Sequence, residues 1–116
     1  MATTLFILND APYGNERAYN ALRLAGAMAG HAVQQVSVVL LADAVACARA
    51  GQKVPAGCYN VEHLLDKVLR HGSVALCGTC MDARGMQDAD MIKGATRSNL
   101  STLADWVLQA DKVLVF

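Results

Sequence analysis

Apolar positions along this chain fall into short blocks separated by polar turns and helical stripes. Residues 3–8 are β-branched and apolar throughout and predict a first strand. Residues 9–14 are rich in turn formers. Over residues 15–29, Ala18, Leu22, Ala25 and Ala29 recur at three- and four-residue spacing, which predicts a helix with one buried face, stopped by Gly30. Residues 33–41, with Val36, Val38, Val39 and Leu40, are nearly continuous in apolar character, as in a strand covered on both sides. Residues 42–50 predict a second helix ended by Gly51, residues 52–58 a loop, and residues 61–70 a third helix with Val61, Leu64, Leu65, Val68 and Leu69 on one side. A short buried strand follows Gly72 at residues 73–76. Residues 86–97 carry a mixed signal, with room for an extended segment around Met91 and Ile92 and a further turn. Residues 98–109 predict a helix capped by Ser98 with Leu100, Leu103, Trp106 and Val107 inward, and residues 111–116 a last strand.

Strands alternating with helices, without repeat or linker, define one α/β domain over residues 1–116 with a mainly parallel sheet and helices on both faces. Sites in such sheets form at the C-terminal ends of the strands, here marked by Leu8, Leu41 and Leu76. The turn at residues 9–14 then shares a rim with the residues that follow Leu76. If the helix at residues 42–50 runs down from that rim, residues 51–60 must climb back. Ten residues extend ~30 Å, enough for the climb. That path puts Cys58, Tyr59 and Asn60 on the rim, with Cys58 nearer Cys77 than Cys47 is.

Lys plus Arg and Asp plus Glu number ten each, so formal net charge is zero and no electrostatic case exists for nucleic acid or an anionic membrane as partner. Charged residues are 17% and apolar residues 54%, a balance that points to apolar surface hidden in an oligomer interface, the alternative being a tightly packed α/β monomer. No apolar run approaches the ~20 residues of a membrane helix. The first residues lack a basic region followed by a long apolar stretch, which reads as no signal peptide. The four cysteines are accordingly expected as reduced thiols in the cytoplasm.

The chemistry concentrates in Leu76-Cys77-Gly78-Thr79-Cys80-Met81-Asp82-Ala83-Arg84-Gly85, a Cys-x-x-Cys where a strand gives way to the next element. A thiol there meets helix N–H groups, which favour the reactive thiolate. Four readings fit the pair: acceptance of a sulfane sulfur as a persulfide, thiol–disulfide exchange, half of a zinc site, or two buried structural thiols. Zinc would need Cys58 or a distant histidine, since there is no second Cys-x-x-Cys and His31, His63 and His71 form no short pair. Thioredoxin-type exchange normally adds a later cis-proline, whereas Pro12 and Pro55 both precede the motif. Arg84 is positioned to steady an anionic sulfur, or else to pair with Asp82 and fix the loop. Gly78 and Gly85 suggest tight backbone. Cys47, among Val45, Ala46 and Ala48, reads as a core residue and Cys58 as an incidental loop thiol. His63 and His71 read as surface or capping residues. Asn9, Asp10 and Tyr13 either line a rim pocket or only make the turn. No Gly-x-Gly-x-x-Gly follows the first strand, which argues against a dinucleotide fold.

Taken together, these runs resemble the DsrE/DsrF-like sulfur-relay family, in particular its YchN-like subgroup. The resemblance rests on Ala11-Pro12-Tyr13-Gly14, Leu22-Arg23-Leu24-Ala25, Asp43-Ala44-Val45, Gly51-Gln52-Lys53, Tyr59-Asn60, the cysteine segment with Arg84-Gly85, and Ala110-Asp111-Lys112-Val113-Leu114. It implies a flavodoxin-like three-layer sandwich assembled as homotrimers or homohexamers. It also implies a role in intracellular sulfur oxidation or persulfide relay. The family's active cysteine lies eight residues before the glycine of its Arg-Gly pair, the place Cys77 holds relative to Gly85. Cys80 is a feature of the YchN-like subgroup, which leaves open whether sulfur is passed on or released through a Cys77–Cys80 disulfide. On this reading Cys77, Cys80 and Arg84 carry the site, and no metal, nucleotide or flavin is required. The partners are sulfur donor and acceptor proteins or small thiols, with neither nucleic acid nor membrane. The protein is then a possible sulfurtransferase, a transfer protein more than a multi-turnover enzyme. The competing class is an oligomeric thiol-redox sensing or binding module.

Overall fold

The computed structural model describes residues 2–116. Five strands, β1 (Ala2–Leu8), β2 (Gln34–Leu40), β3 (Ser73–Cys77), β4 (Ala95–Ser98) and β5 (Lys112–Val115), make one sheet in the order β4-β3-β2-β1-β5. Every pairing is parallel. The helices are α1 (Arg17–Ala29), α2 (Val61–Leu69), α3 (Gly78–Ala83) and α4 (Leu100–Gln109), with 3-10 segments at Ala42–Ala48 and Asp88–Asp90. This is the α/β sandwich with a parallel sheet that the alternation of elements predicts.

The two faces are covered unequally, and strand order explains why. Steps from β1 to β4 all move one way along the sheet, so right-handed crossovers put α1 and α2 on one face. The return from β4 to β5 runs backwards and leaves α4 alone on the other. Phe6, Leu8, Val36, Val38, Leu40, Val74 and Leu76 pack with Ala18, Leu22, Ala25, Leu65 and Val68 in the main core. Alternate strand residues Leu5, Val39 and Ala75 face the opposite way and meet Leu103 of α4. Leu8, Leu40 and Leu76 are register partners, so Asn9, Leu41 and Cys77 emerge side by side on one rim.

Three expectations change. First, residues 42–48 form a 3-10 helix that stays on the rim against α3 and does not descend. Its end is held by residues 88–92: the Ala50 amide donates to the Asp90 carbonyl (2.9 Å) and the Ile92 amide to the Ala48 carbonyl (2.8 Å). Arg49 and Met91 form an antiparallel bridge there, which is the extended segment expected around Met91. Gln52 is therefore already at the rim, 2.6 Å from the Tyr13 hydroxyl. Tyr59 and Asn60 do lie there, Tyr59 stacking on Tyr13 and Asn60 capping α2. The climb that placed Cys58 nearer Cys77 than Cys47 loses its premise.

Second, Ser98 closes β4 and does not cap α4. That role falls to Asn99, whose Oδ1 accepts the Thr102 amide at 3.0 Å. Third, Leu100 and Val107 point outward, 77% and 40% exposed, because α4 reaches the sheet through Leu103 and Trp106. No helix among the described residues is long and apolar enough to cross a membrane.

Candidate functional site

β3 delivers Cys77 to the rim and Cys77 then caps α3, its backbone still extended while its Sγ accepts the Cys80 amide at 3.4 Å. The Thr79 hydroxyl lies 3.3 Å from the same sulfur. The cap follows from helix geometry, since three residues of helix bring the main-chain amide at position 80 back over the capping side chain. Burial pushes the Cys77 thiol up, but hydrogen bonds from the Cys80 thiol, the Thr79 hydroxyl and the Cys80 and Thr79 amides outweigh it and hold Cys77 below the ordinary thiol value. Cys80 goes the other way. Burial raises it, and donating its proton to Cys77 and the nearby Cys77 charge raise it further, against lowering from the Ala42 amide and Arg84. Within the pair Cys77 is therefore the sulfur that ionises more readily and Cys80 the one that keeps its proton, and neither is in a disulfide. Cys77 is 9% exposed, with polar neighbours at its sulfur, and Cys80 is half-buried.

The scaffold around α3 explains the remaining motif residues. A Cβ on Gly78 would lie 3.1 Å from the Ser98 carbonyl and 3.2 Å from Arg97 Nη1, so glycine lets β4 close on the helix. Gly85, at φ +65°, ends α3 in a Schellman turn: its amide donates to the Asp82 carbonyl (3.2 Å) and the Met86 amide to the Met81 carbonyl (3.0 Å). Two arginines clamp the helix. Arg97 donates to the Gly78 carbonyl (3.2 Å) and pairs with Asp82 (3.0 Å) and Asp88 (2.8 Å). Arg84 pairs with Asp43 (2.9 Å) and donates to the Cys80 carbonyl (3.0 Å). Arg84 and Asp82 are thus both ion-paired, but not to one another, and the Arg84 charge acts on Cys80.

Of the other candidates, Asp10 pairs with Arg17 (2.9 Å), Asn9 binds the Phe116 carbonyl (3.3 Å), and Tyr13 takes the Val61 amide (3.1 Å), so all three brace the turn. Cys47 is sealed, its thiol pushed up to about 12 by burial. Cys58 and His63 are exposed. Among the described residues no three His, Cys, Asp or Glu side chains converge as metal ligands.

The sequence reading missed Thr79, Arg97 and Ala42. Thr79 lay inside the motif as an unassigned residue, and Arg97 in the segment of mixed signal. Ala42 presents its N–H to Cys80 Sγ at 3.2 Å from a backbone with φ +50°, a conformation that costs an alanine roughly 1–2 kcal/mol and leaves no mark in the sequence. Replacing Thr79 by valine removes one hydroxyl from the Cys77 thiolate. The midpoint of its pH-dependent alkylation is expected to rise by about one unit. An unmoved midpoint would leave the stabilisation to the amides and the Cys80 thiol.

A parallel α/β sandwich with a helix-capping cysteine, its thiol held below the ordinary value, at the end of its third strand defines a thiol-bearing rim-site protein. The chain belongs to the DsrE/DsrF-like family, whose model matches residues 3–116. Protein YchN of Escherichia coli (strain K12) is 38% identical over 118 residues, covering 100% of both chains. The crystal structure of the ychN protein from E. coli superposes with a TM-score of 0.93 over 100% of each chain. The protein of unknown function MTH1491 from Methanobacterium thermoautotrophicum, at 13% identity and a TM-score of 0.76 over 100% of each chain, shares the fold.

Proposed function

We propose that this protein is a sulfur carrier in which Cys77 accepts sulfane sulfur as a persulfide and passes it on. The Cys77 thiolate attacks the outer sulfur of a donor persulfide, R–S–SH. A new S–S bond forms, the old one breaks, and the donor leaves as RS⁻, giving Cys77–S–SH. The reverse of this step, with an acceptor thiolate, unloads the protein. Donor and acceptor are proteins or small thiols. No step calls for a metal, nucleotide or flavin, and the reduced pair suits the cytoplasm. The observation that carries the reading is the capping geometry, in which the Cys80 amide and Thr79 hydroxyl meet the Cys77 sulfur. Family membership supports it. Arg84 enters as a residue that fixes α3 and lends positive charge to Cys80.

The thiol–thiolate contact within the pair also favours a second reading, a redox module cycling through a Cys77–Cys80 disulfide. Intact-mass measurement after incubation with a persulfide donor separates the two. A gain of one sulfur that persists in Cys80→Ser supports the carrier. A loss of two hydrogens in the wild type together with no sulfur gain in Cys80→Ser supports the redox module and sinks the carrier.

The reading includes assembly into a homotrimer or homohexamer through the face that α4 covers alone. An apolar groove of about 150 Å³ opens there between Ile7, Val39 and Leu41 of the sheet and Leu100, Leu103 and Val107 of α4. Leu100 is 77% and Val115 of the neighbouring β5 65% exposed. In a chain with only 17% charged residues, a second copy is the occupant that supplies a matching apolar surface. Sedimentation equilibrium is expected to give three or six times the 12.3 kDa chain mass. Leu100→Lys with Val115→Lys should reduce it, and a wild-type monomer at micromolar concentration would refute the assembly.

A further inference from the structure

Ala42 holds a backbone conformation that its side chain disfavours. Its φ of +50° is the sole positive value at a non-glycine residue among those described. Such a conformation persists only where the surroundings fix it, and they do so on both sides. The Leu41 amide donates to the Leu8 carbonyl (2.9 Å), and the Leu41 carbonyl accepts the Ala44 amide (2.9 Å). Asp43 is tied to Arg84 at 2.9 Å. The consequence is an Ala42 N–H aimed across the rim at Cys80 Sγ, 3.2 Å away, closer than the 3.4 Å between the Cys80 amide and Cys77 Sγ. Each sulfur of the pair therefore has its own main-chain donor. The donor at Cys77 meets the sulfur that ionises more readily. The donor at Cys80 meets the sulfur that keeps its proton longer; a thiol is a weak acceptor, so this donor gains strength when negative charge moves to Cys80.

Resting on the carrier reading, we propose that the Ala42 amide stabilises the Cys80 sulfur as it becomes the nucleophile that empties the Cys77 persulfide. In that step the Cys80 thiol gives its proton to the outer sulfur of Cys77–S–S⁻. The Cys80 sulfur bonds to Cys77 Sγ, and the bond from Cys77 Sγ to the outer sulfur breaks with its electron pair on the departing atom. The products are a Cys77–Cys80 disulfide and HS⁻. The sulfane sulfur gains two electrons, the two cysteines lose two, and the charge is one negative before and after. Two small thiols in the medium reset the disulfide, the first forming a mixed disulfide and the second releasing it, and they leave as their own disulfide. The Arg84 bond to the Cys80 carbonyl (3.0 Å) holds a cation beside the same residue.

The test replaces Ala42 by its α-hydroxy analogue, lactate, through nonsense suppression, so that an ester oxygen stands where the N–H was. In a Cys77→Ser background, the Cys80 alkylation midpoint should move to higher pH, with the rate at pH 8 falling about tenfold, the effect of one lost hydrogen bond to a charged sulfur. With Cys77 present, sulfide release should slow likewise while sulfur loading keeps its rate. An unchanged Cys80 profile overturns the proposal. Should the ester chain not fold, two further measurements decide. In Cys77→Ser protein the Ala42 amide resonance should titrate with Cys80, and Ala42→Gly, which keeps the N–H and suits a positive φ, should keep the Cys80 profile. An Ala42 resonance that stays fixed throughout overturns it. Failure of the carrier reading shows elsewhere, as absence of any sulfur gain on Cys77 in Cys80→Ser protein, where the discharge step has no nucleophile.

Discussion

Cys77→Ser is expected to abolish sulfur uptake, with no added sulfur detectable by intact mass, while the folded structure and its thermal midpoint stay close to the wild type. Serine fits the space and keeps the hydrogen-bond donors around it, the Cys80 amide and the Thr79 hydroxyl. What it lacks is an ionisable sulfur, and those donors act by stabilising charge. No buried thiol can take over. Cys80 is raised by burial, and Cys47 is sealed and pushed up to about 12. Cys58 is exposed, so the comparison belongs in a Cys58→Ser background. The pH dependence follows in sign. Because the folded Cys77 lies below the ordinary thiol value, uptake should persist below that value and fade as pH drops through the lowered one. Uptake that survives Cys77→Ser unchanged would move the chemistry to another thiol.

Gly72→Ala is expected to be the most damaging small substitution for stability. Gly72 joins α2 to β3, and its amide binds the Val68 carbonyl at 2.7 Å. A Cβ there would stand 2.4 Å from the Val36 carbonyl oxygen and 3.2 Å from that of Val68. Both obstacles are main chain inside regular elements, so neither can swing aside as a side-chain tip would. The cost should reach the upper end for overpacking, about 3 kcal/mol. For a domain of this size that lowers the thermal midpoint by roughly 10 °C. Protein concentration must be held fixed, since assembly shifts the midpoint by mass action. A midpoint within a degree or two of wild type would mean that β2 and β3 can separate without loss.

The parts of the fold legible in the sequence are those written in side-chain periodicity. β1, β2, α1 and α2 announce themselves because their apolar residues repeat at the spacing of the element and are buried. The 42–48 segment misleads because its buried residues, Ala44, Val45, Cys47 and Ala48, crowd together, and its turn type is set by partners at residues 88–92 far along the chain. β4 was obscured for a related reason. It is a four-residue edge strand of Ala, Thr, Arg and Ser, with no apolar repeat to mark it, paired to β3 and carrying the Arg97 that bridges Asp82 and Asp88. Leu100 and Val107 read as core because the pattern marks an apolar stripe, and a stripe does not say whether its cover comes from the same chain.

The candidate site divides in the same way. Cys77, Cys80, Gly78 and Gly85 were legible because local spacing makes the cap and the turn. The Arg97–Asp82 and Arg84–Asp43 pairs and the Ala42 amide at Cys80 were not, since each joins residues 15 to 41 positions apart.

The central claim is that Cys77 is a thiolate near neutral pH, and one measurement reaches it directly: the pH dependence of Cys77 alkylation in the folded protein, quantified on the Cys77 peptide by mass. The midpoint, not the absolute rate, is the quantity to read, because a residue only 9% exposed reacts slowly even when its sulfur is ionised. The predicted midpoint lies clearly below the ~8.5 of an unperturbed cysteine, with the same chain in urea returning to that value. A folded midpoint at or above the unfolded one would mean that burial prevails over the hydrogen bonds at Cys77, and the carrier would have no nucleophile.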